Sequence, residues 1–280
     1  MTAMTIRRST NIDLLAQATA TGDAAQIAAA NAMPILQRDE VVVPGTLGAW
    51  DFKSPYCNDG SALSTSTTFA NLVRGGSPAT VPNATGMTQE LDGSDPIGIN
   101  FNDVAARINF PAACKPVAGQ GRFGLLIHAT IKVRDTTKYN GLVGYTFALT
   151  TQNAISLVMP NSLTVLRANV DGGAAVDIPY VLGTPFQFGA EYVPAGAASA
   201  RRTFYDGAYI GQAVFDNGGS LNQPITAGFT DFMAGQLGSH INTGLEWVLH
   251  RVIIEDFATS GRDMEALSYL DWSKRQGRFG

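Results

Sequence analysis

Charged residues are scarce in this sequence, and the few it has do not cluster. Only 15% of the 280 residues are Asp, Glu, Lys or Arg, and the formal net charge is −4 at pH 7. The basic residues form no grouping larger than the pairs Arg7–Arg8 and Arg201–Arg202. Because proteins that bind nucleic acid carry a basic patch that contacts phosphates, this composition disfavours DNA and RNA as partners.

Long apolar stretches are also missing. No segment reaches the roughly 20 consecutive apolar residues that cross a membrane, and the N-terminus lacks the basic region, apolar core and cleavage site of a signal peptide. We therefore expect no membrane contact. We also expect the protein to be made and kept in the cytosol, or to leave it by another route. With only two cysteines, Cys57 and Cys114, we expect free buried thiols rather than a structural disulfide.

Glycine, proline and apolar residues are plentiful instead. The chain contains 30 glycines and 13 prolines, and 45% of its residues are hydrophobic. This turn-rich, weakly charged composition is typical of a domain built from many short strands. The length allows either one large β-domain with an appendage or two ordinary domains.

A helical pattern occupies the N-terminal region between Ser9 and Met33. Apolar residues recur there at helical spacing until Pro34 ends the pattern. This narrow apolar stripe can pack on the β-domain of its own chain, on a copy of itself or on a neighbouring protein. We favour the two intermolecular alternatives because a helix outside a closed β-domain has little core to join. The candidate attachment or oligomerisation residues are Ile12, Leu15, Ala16, Ile27 and Ala28.

Alternating apolar residues predict strands in the rest of the chain. In the clearest example, Phe123 to Val133, every second residue is apolar, and His128, Thr130 and Lys132 are predicted to face outward. Between residues 41 and 100, turn residues interrupt the pattern, so strands there are expected to be short. Successive strands without intervening helices predict an antiparallel sandwich. Further strands are predicted at Val104–Phe110, Leu142–Leu149, Ser162–Val170, Ala175–Val181, Phe186–Val193, Arg202–Tyr205, Tyr209–Phe215 and Leu245–Phe257.

The last element is predicted to be a helix. Ser260 is expected to cap it with Asp263 three residues later, and Met264, Leu267 and Leu270 form a core-facing stripe. We expect this helix to lie across one end of the sandwich.

Four segments carry a resemblance to a known fold family. Within Arg202–Phe215, Asp206–Gly207 supplies the positive φ angles of a tight hairpin, and Leu245–Phe257 reads as a closing strand before a terminal helix. Leu47–Phe52 and Phe69–Val73 read as an opening strand and the segment after it. Together they resemble the laminin-G-like and concanavalin A-like lectin domains.

The resemblance implies a mainly β fold. We expect an antiparallel jelly-roll β-sandwich at residues 41–280 that ends in the C-terminal helix, and residues 1–40 as a short helical appendage for attachment or oligomerisation. The Thr-, Ala-, Gly- and Asn-rich style of the sequence also resembles structural proteins of tailed bacteriophages. By analogy with other users of the fold, that implies a homo-oligomer, with a trimer favoured.

Catalytic patterns are missing from the sequence. Glycoside hydrolases of this jelly roll place carboxylates two residues apart on one strand, whereas the adjacent Glu255 and Asp256 point to opposite faces and read as a solvated strand end. His128, His240 and His250 have no metal-ligand spacing, and no nucleophile elbow or phosphate loop appears. We therefore expect no enzyme activity and no catalytic residues.

Two kinds of binding site stay open. A calcium ion, the one cofactor considered, would need hard oxygens, although solvated turn-forming aspartates are the default interpretation. Tyrosine rings can stack on sugars, although core packing is the favoured interpretation for them, as it is for Trp50, Trp247 and Trp272. The calcium candidates are Asp51, Asp59, Asp92, Asp95 and Asp103, and the glycan-contact candidates are Tyr180, Tyr192, Tyr205 and Tyr209.

These observations lead to one hypothesis with two rivals. We expect a non-enzymatic structural component of a bacteriophage particle, whether tail, baseplate, collar, fibre or capsid decoration. It would be made in the host cytoplasm and bind copies of itself, other virion proteins and a host surface glycan. The first alternative is a carbohydrate-binding module that recognises a cell-surface polysaccharide, and the second is a cryptic polysaccharide-degrading enzyme.

Overall fold

The computed structural model describes residues 39–102, 105–116, 121–146, 153–170, 173–193, 199–215, 232–237 and 243–279. Asp103, His240 and the whole predicted N-terminal stripe of Ile12, Leu15, Ala16, Ile27 and Ala28 lie outside these ranges. The division of the chain into residues 1–40 and 41–280 therefore stays a prediction.

Strands dominate the described residues, which confirms the predicted mainly β fold. In chain order the strands are β1 (Thr46–Asp51), β2 (Thr68–Phe69), β3 (Ala79–Asn83), β4 (Met87–Asp92), β5 (Asp95–Phe101), β6 (Arg107–Phe110), β7 (Phe123–Arg134), β8 (Asn140–Thr146), β9 (Asn153–Met159), β10 (Val165–Val170), β11 (Gly173–Pro179), β12 (Pro185–Val193), β13 (Ser199–Tyr205), β14 (Ala208–Phe215), β15 (Phe232–Gly235) and β16 (Leu245–Asp256).

These strands form two antiparallel sheets that face each other. Sheet A has the order β14-β13-β12-β7-β16-β5-β4, and β1 pairs with the part of β16 beyond the reach of β5. Sheet B has the order β11-β10-β9-β8-β15-β6-β3-β2. The strand β16 thus lies in the middle of sheet A, with β7 on one side and both β5 and β1 on the other.

The main core fills the space between the sheets. Trp50 and Trp247 are fully buried there, as predicted, and Trp247 stacks on Phe101 with ring centroids 4.7 Å apart. Cys57 and Cys114 are buried, and both are free thiols in this structure.

Two strands were missed because both of their faces are buried. In β9 and β15, Val158 and Met233 point away from the main core yet are covered together with Leu237. Burial on both sides removes the alternation that marks a half-buried strand. The predicted strand at Val104–Phe110 begins only at Arg107, and the loop-rich region contains β3, β4 and β5.

Two helices follow β16, and they differ from the prediction. Ser260 closes the short helix α1 (Phe257–Ser260), and the N-cap of α2 (Met264–Arg275) is Asp263, whose carboxylate accepts the Ala266 N–H at 2.9 Å. The helix α2 packs against β12, β13 and β14 on the outer face of sheet A, not across an end of the sandwich.

This packing gives sheet A a second core on its outer face. Leu126, Ile253 and Phe204 contact Phe257 and the apolar side of α2, and Val41 and Val42 join the same cluster. His128 and Thr130, predicted to face outward on β7, do so, but the layer above covers them almost completely. The middle of sheet A is therefore buried on both faces.

The predicted hairpin between β13 and β14 is confirmed. Asp206 has φ 48° and Gly207 has φ 81°, the two positive angles that a two-residue turn requires. The turn also lies against α2, because a Cβ atom on Gly207 would be 2.7 Å from Cδ1 of Trp272. Glycine at this position thus serves both the turn and the docking of the helix.

Candidate functional site

The four tyrosines predicted as glycan contacts do not share one surface. Tyr192 is fully buried between the sheets, so its ring cannot stack on a sugar, and that prediction is corrected: the alternation of β12 points it inward. Tyr205 stacks on Phe186 at the margin of the same core, with centroids 6.0 Å apart. Tyr180 packs against the core from just after β11, on the other sheet.

Tyr209 differs from the other three, because it exposes 40% of its surface on β14. Its ring lies 5.6 Å from that of Phe204, and the Arg202 guanidinium carbon lies 4.8 Å from its centroid. One face of the ring is thereby engaged with its own sheet. Neighbouring Ile210 is 45% exposed, so the two residues form an apolar spot at the edge of sheet A.

The acidic residues considered for calcium are also scattered. Asp51 is buried beside arginines, Asp59 accepts the N–H of Ser61 in an exposed turn, and Asp92 pairs with Asp95 at the end of a hairpin. Among the described residues, no group of three His, Cys, Asp or Glu side chains is placed to hold a metal ion.

One pair of carboxylates shares the outer face of sheet A, although the sequence spacing did not reveal it. Glu191 on β12 and Glu255 on β16 both lie opposite Gly124 of β7, so their Cα atoms are separated by two strand spacings, about 10 Å. Glu255, predicted to lie at a solvated strand end, is in fact fully buried, and Asp256 caps α1. Glu255 is covered because Arg262, from the segment after α1, binds its carboxylate.

The geometry around this pair leaves neither carboxylate facing solvent. Phe257 fills the space above Gly124, where any Cβ atom would collide with its ring. Arg122 and Arg202 bind Glu191, while Arg262 binds Glu255 through Nε at 2.6 Å. Burial raises the pKa of Glu191, and the two arginines oppose that rise. The arrangement therefore neutralises charge within the layer that covers sheet A.

The largest polar group in the described chain surrounds Arg251, in the middle of sheet A. Its Nη1 donates to Asp39 at 2.8 Å and lies 3.4 Å from Asp51, and its Nε donates to Asp271 of α2 at 2.9 Å. We call Asp39, Asp51, Arg251 and Asp271 the Arg251 cluster. All four side chains are at most 3% exposed.

Electrostatics favour the charged form of two carboxylates in this cluster. Burial alone would raise the pKa of Asp39 and of Asp271, but Arg251 acts together with neighbouring charges and hydrogen bonds to outweigh it and hold both values below their usual range. Arg275 adds to the effect by donating to Asp39 at 2.9 Å. Three carboxylates and one fully buried guanidinium would be unbalanced alone, and Arg275 and Arg278 supply the remaining positive charge.

Two groups of hydrogen-bonded polar side chains, which we call the two arms, lie beside the Arg251 cluster beneath α2. In the first, His128 Nε2 lies 2.6 Å from Asp271 Oδ2, and Gln187 links Asp271, Ser268 and the Gly207 N–H. This arm joins β7, β12 and the β13–β14 turn to the helix. Its hydrogen bonds replace those that water would make to the polar groups buried under the helix.

The second arm contains His250. Its Nδ1 lies 2.7 Å from the Ile97 carbonyl, which can only accept, so Nδ1 carries the proton and Nε2 accepts from the Thr130 hydroxyl at 2.9 Å. Phe279 covers the ring, with centroids 4.9 Å apart. Burial lowers the pKa of His250 to about 4, so the histidine is neutral.

A bulge in β16 makes the two arms possible. The register with β7 shifts between Leu249 and Arg251, which places His250 and Arg251 on the same outer face. Strict alternation in sequence predicts that neighbouring residues point to opposite faces, so sequence reasoning missed this cluster. The partners Asp39, Asp51 and Asp271 come from three distant segments, and no local motif links them.

No family model matches this chain, and no curated protein matches its sequence. Among solved structures, Trypanosoma rangeli sialidase aligns over 87% of this chain and 35% of its own, with a TM-score of 0.55 and 14% identity.

Two toxin structures show a similar likeness. The binding domain of botulinum neurotoxin serotype G aligns over 83% of this chain and 51% of its own, with a TM-score of 0.55 and 7% identity. The binding domain of botulinum neurotoxin DC, solved in complex with rat synaptotagmin II, aligns over 83% of this chain and 52% of its own, with a TM-score of 0.55 and 8% identity.

The likeness concerns fold. This chain spans about a third of the sialidase and about half of each toxin chain. At these identities the match shows an antiparallel β-sandwich and nothing finer. No helix among the described residues is long and apolar enough to cross a membrane.

The first prediction concerns Arg251. Replacement by Met (Arg251→Met) should lower the free energy of unfolding by about 3–5 kcal/mol, because it leaves buried carboxylates without their counter-charge. The matched control is Arg167→Met, which removes an ion pair with Asp177 whose side chains are 23% and 34% exposed, and should cost about 1 kcal/mol or less. Urea unfolding measures both, and equal losses would contradict a central role for Arg251.

The second prediction concerns acid stability. An unfolded histidine titrates near 6.5 and folded His250 near 4, so stability is complete above pH 6.5 and falls as the pH drops toward 4. The difference corresponds to roughly 3 kcal/mol. His250→Asn should flatten this part of the curve of unfolding free energy against pH. The lowered pKa values of Asp39 and Asp271 add a further loss only below about pH 4. Parallel curves of unfolding free energy against pH for both proteins would contradict the lowered pKa of His250.

Proposed function

We propose that this chain is a non-enzymatic display domain of a structural protein, in which the segment before residue 39 attaches a lectin-like sandwich to a larger assembly. One observation carries the proposal. Asp39, where the described chain begins, is joined to Arg251 in the central strand of sheet A and to Arg275 of α2.

The position of this junction matters for attachment. Asp39 accepts from two guanidinium groups and from the backbone N–H of Val41, and Val41 and Val42 are buried against the outer layer. A pull on the preceding segment therefore acts on β16, which is paired on both sides. An edge strand in the same role would peel away one hydrogen bond at a time.

The finer assignment is to a bacteriophage particle, and the sequence resemblance supports it. In that setting the chain is made in the host cytoplasm and resides in the virion as tail, baseplate, collar, fibre or capsid decoration. Its partners are copies of itself, with a trimer favoured by analogy, and other virion proteins. Nucleic acid and membranes are not among the expected partners.

Carbohydrate recognition is the second candidate function. The observation that favours it is Tyr209, whose exposed ring adjoins exposed Ile210 on the rim of a fold shared with domains named for binding. A flat aromatic ring buries the apolar C–H face of a pyranose. A calcium ion in a loop is compatible with this role, although no described cluster of side chains stands ready to hold one.

The third prediction tests attachment through the N-terminal stripe. At a concentration below the micromolar range, purified full-length chain should be oligomeric in light scattering, and deletion of residues 1–33, which keeps Asp39, should give a monomer. In the full chain, Ile12→Asp with Leu15→Asp should act like the deletion, because charge is costly in an apolar interface. The matched control Gln17→Asp lies off the stripe and should leave the mass unchanged. A full-length monomer would overturn this mode of attachment.

The fourth prediction tests the glycan alternative. If the chain is a carbohydrate-binding module, a glycan array will show specific binding that Tyr209→Ala abolishes. The matched control is Tyr269→Ala, since Tyr269 on α2 is 68% exposed and away from β14. Repeating the array with a calcium chelator tests the ion. Blank arrays for the native chain favour the display role, and equal losses in both variants would contradict a site at Tyr209.

A further inference from the structure

The open edges of the two sheets are protected unequally. An edge strand exposes unpaired N–H and C=O groups, and proteins discourage pairing there with charge, proline or short length. In sheet B, β2 has only two residues, and β11 contains Asp177 and Pro179. At one end of sheet A, β4 contains Glu90 and Asp92.

The free side of β1 is also covered. The Ala49 N–H donates to the Asn71 side chain at 3.1 Å, and its carbonyl accepts from Leu72 at 2.9 Å. Each of these strands therefore has a feature that blocks pairing with another chain.

The strand β14, at the other end of sheet A, is neither charged nor short and has no proline, although its register with β13 shifts at Ile210. Its eight residues, AYIGQAVF, contain no charged residue and no proline. Ala208, Tyr209, Ile210 and Gln212 are exposed. Its backbone pairs with β13, and no other described strand pairs with its outer row of N–H and C=O groups. A long, uncharged and partly apolar edge is one that another strand can join.

We propose that β14 is a strand-pairing interface whose partner is β14 of a second copy, aligned antiparallel about a two-fold axis so that two A sheets become one. The charge pattern argues for this occupant. A strand without charge can face itself without placing like charges opposite each other, whereas it offers nothing to pair with an acidic or basic segment. The nearby Arg202 is already bound by Glu191 and Glu265.

The geometry also limits the interface. The register with β13 shifts beside Ile210, so regular pairing is available from Gly211 to Phe215 and around Tyr209. Each strand-pairing hydrogen bond contributes about 1 kcal/mol, and the area is at the small end of specific interfaces. We therefore expect association in the micromolar range for this contact.

The fifth prediction uses light scattering of the full-length chain carrying Ile12→Asp with Leu15→Asp, which leaves the β14 contact alone, at roughly 100 μM, well above that range. Ile210→Lys together with Gln212→Lys should halve the particle mass, because lysines of two copies would then face each other. The matched control is Leu91→Lys on β4, at the opposite edge of the same sheet, where Leu91 is 50% exposed and the mass should not change. Circular dichroism verifies that the variants are folded. An unchanged mass for the β14 variant would overturn the proposal.

Cross-linking gives an independent readout. Burial raises the pKa of both native thiols, Cys57 and Cys114, so they stay unreactive. Single variants Ile210→Cys, Gln212→Cys and Ala213→Cys should include one near the axis that oxidises to a covalent dimer, since paired Cα atoms lie about 5 Å apart. Leu91→Cys is the control. The β14 dimer should survive Ile12→Asp with Leu15→Asp, which separates it from N-terminal assembly. No dimer, or an equal yield at Leu91, would refute it.

Discussion

The ion pairs around Arg251 hold together parts of the chain that are far apart in sequence. Arg251 belongs to the central strand of sheet A, Asp39 to the start of the described chain, Asp51 to the end of β1 and Asp271 to the last helix. Charges removed from water are costly unless they are paired, so the position of each element depends on the others. The helix can cover the sheet only where Asp271 meets Arg251, and this condition fixes the second core.

Covering both faces of sheet A has further consequences for its residues. A helix can lie close to a sheet only where side chains are small, and Gly124 and Gly189 leave room for Phe257 and Met264. Polar residues on the covered face then need partners inside the layer, as Gln187 has in Ser268 and Asp271. The glutamates of this face, with their arginines, follow the same rule. They resemble a catalytic pair in spacing but are paired with arginines, which is how buried carboxylates are tolerated.

The sequence allowed the sandwich to be predicted because half-buried strands leave a period of two, as in Phe123–Val133, and because Asp206–Gly207 marks a hairpin. It failed where burial on two faces erased that period, as at Val158 and Met233. The Arg251 cluster could not be predicted, since it depends on a bulge at His250 and on contacts across about 200 residues. The same alternation that revealed β12 also predicts that Tyr192, one of the glycan candidates, points into the space between the sheets.

The attachment and the edge pairing that we propose impose different demands on one sheet, and they use different places in sheet A. The centre holds the junction with the preceding segment, where Arg251 and Asp39 are buried and a load is shared by strands on both sides. The edge at β14 pairs with no described strand other than β13, and eight residues without charge make it compatible with a copy of itself. Because the two contacts lie on separate parts of the sheet, neither occupies the surface of the other. One chain can therefore be attached through its N-terminal segment and pair with another copy along β14 at the same time, which is what a repeating assembly requires.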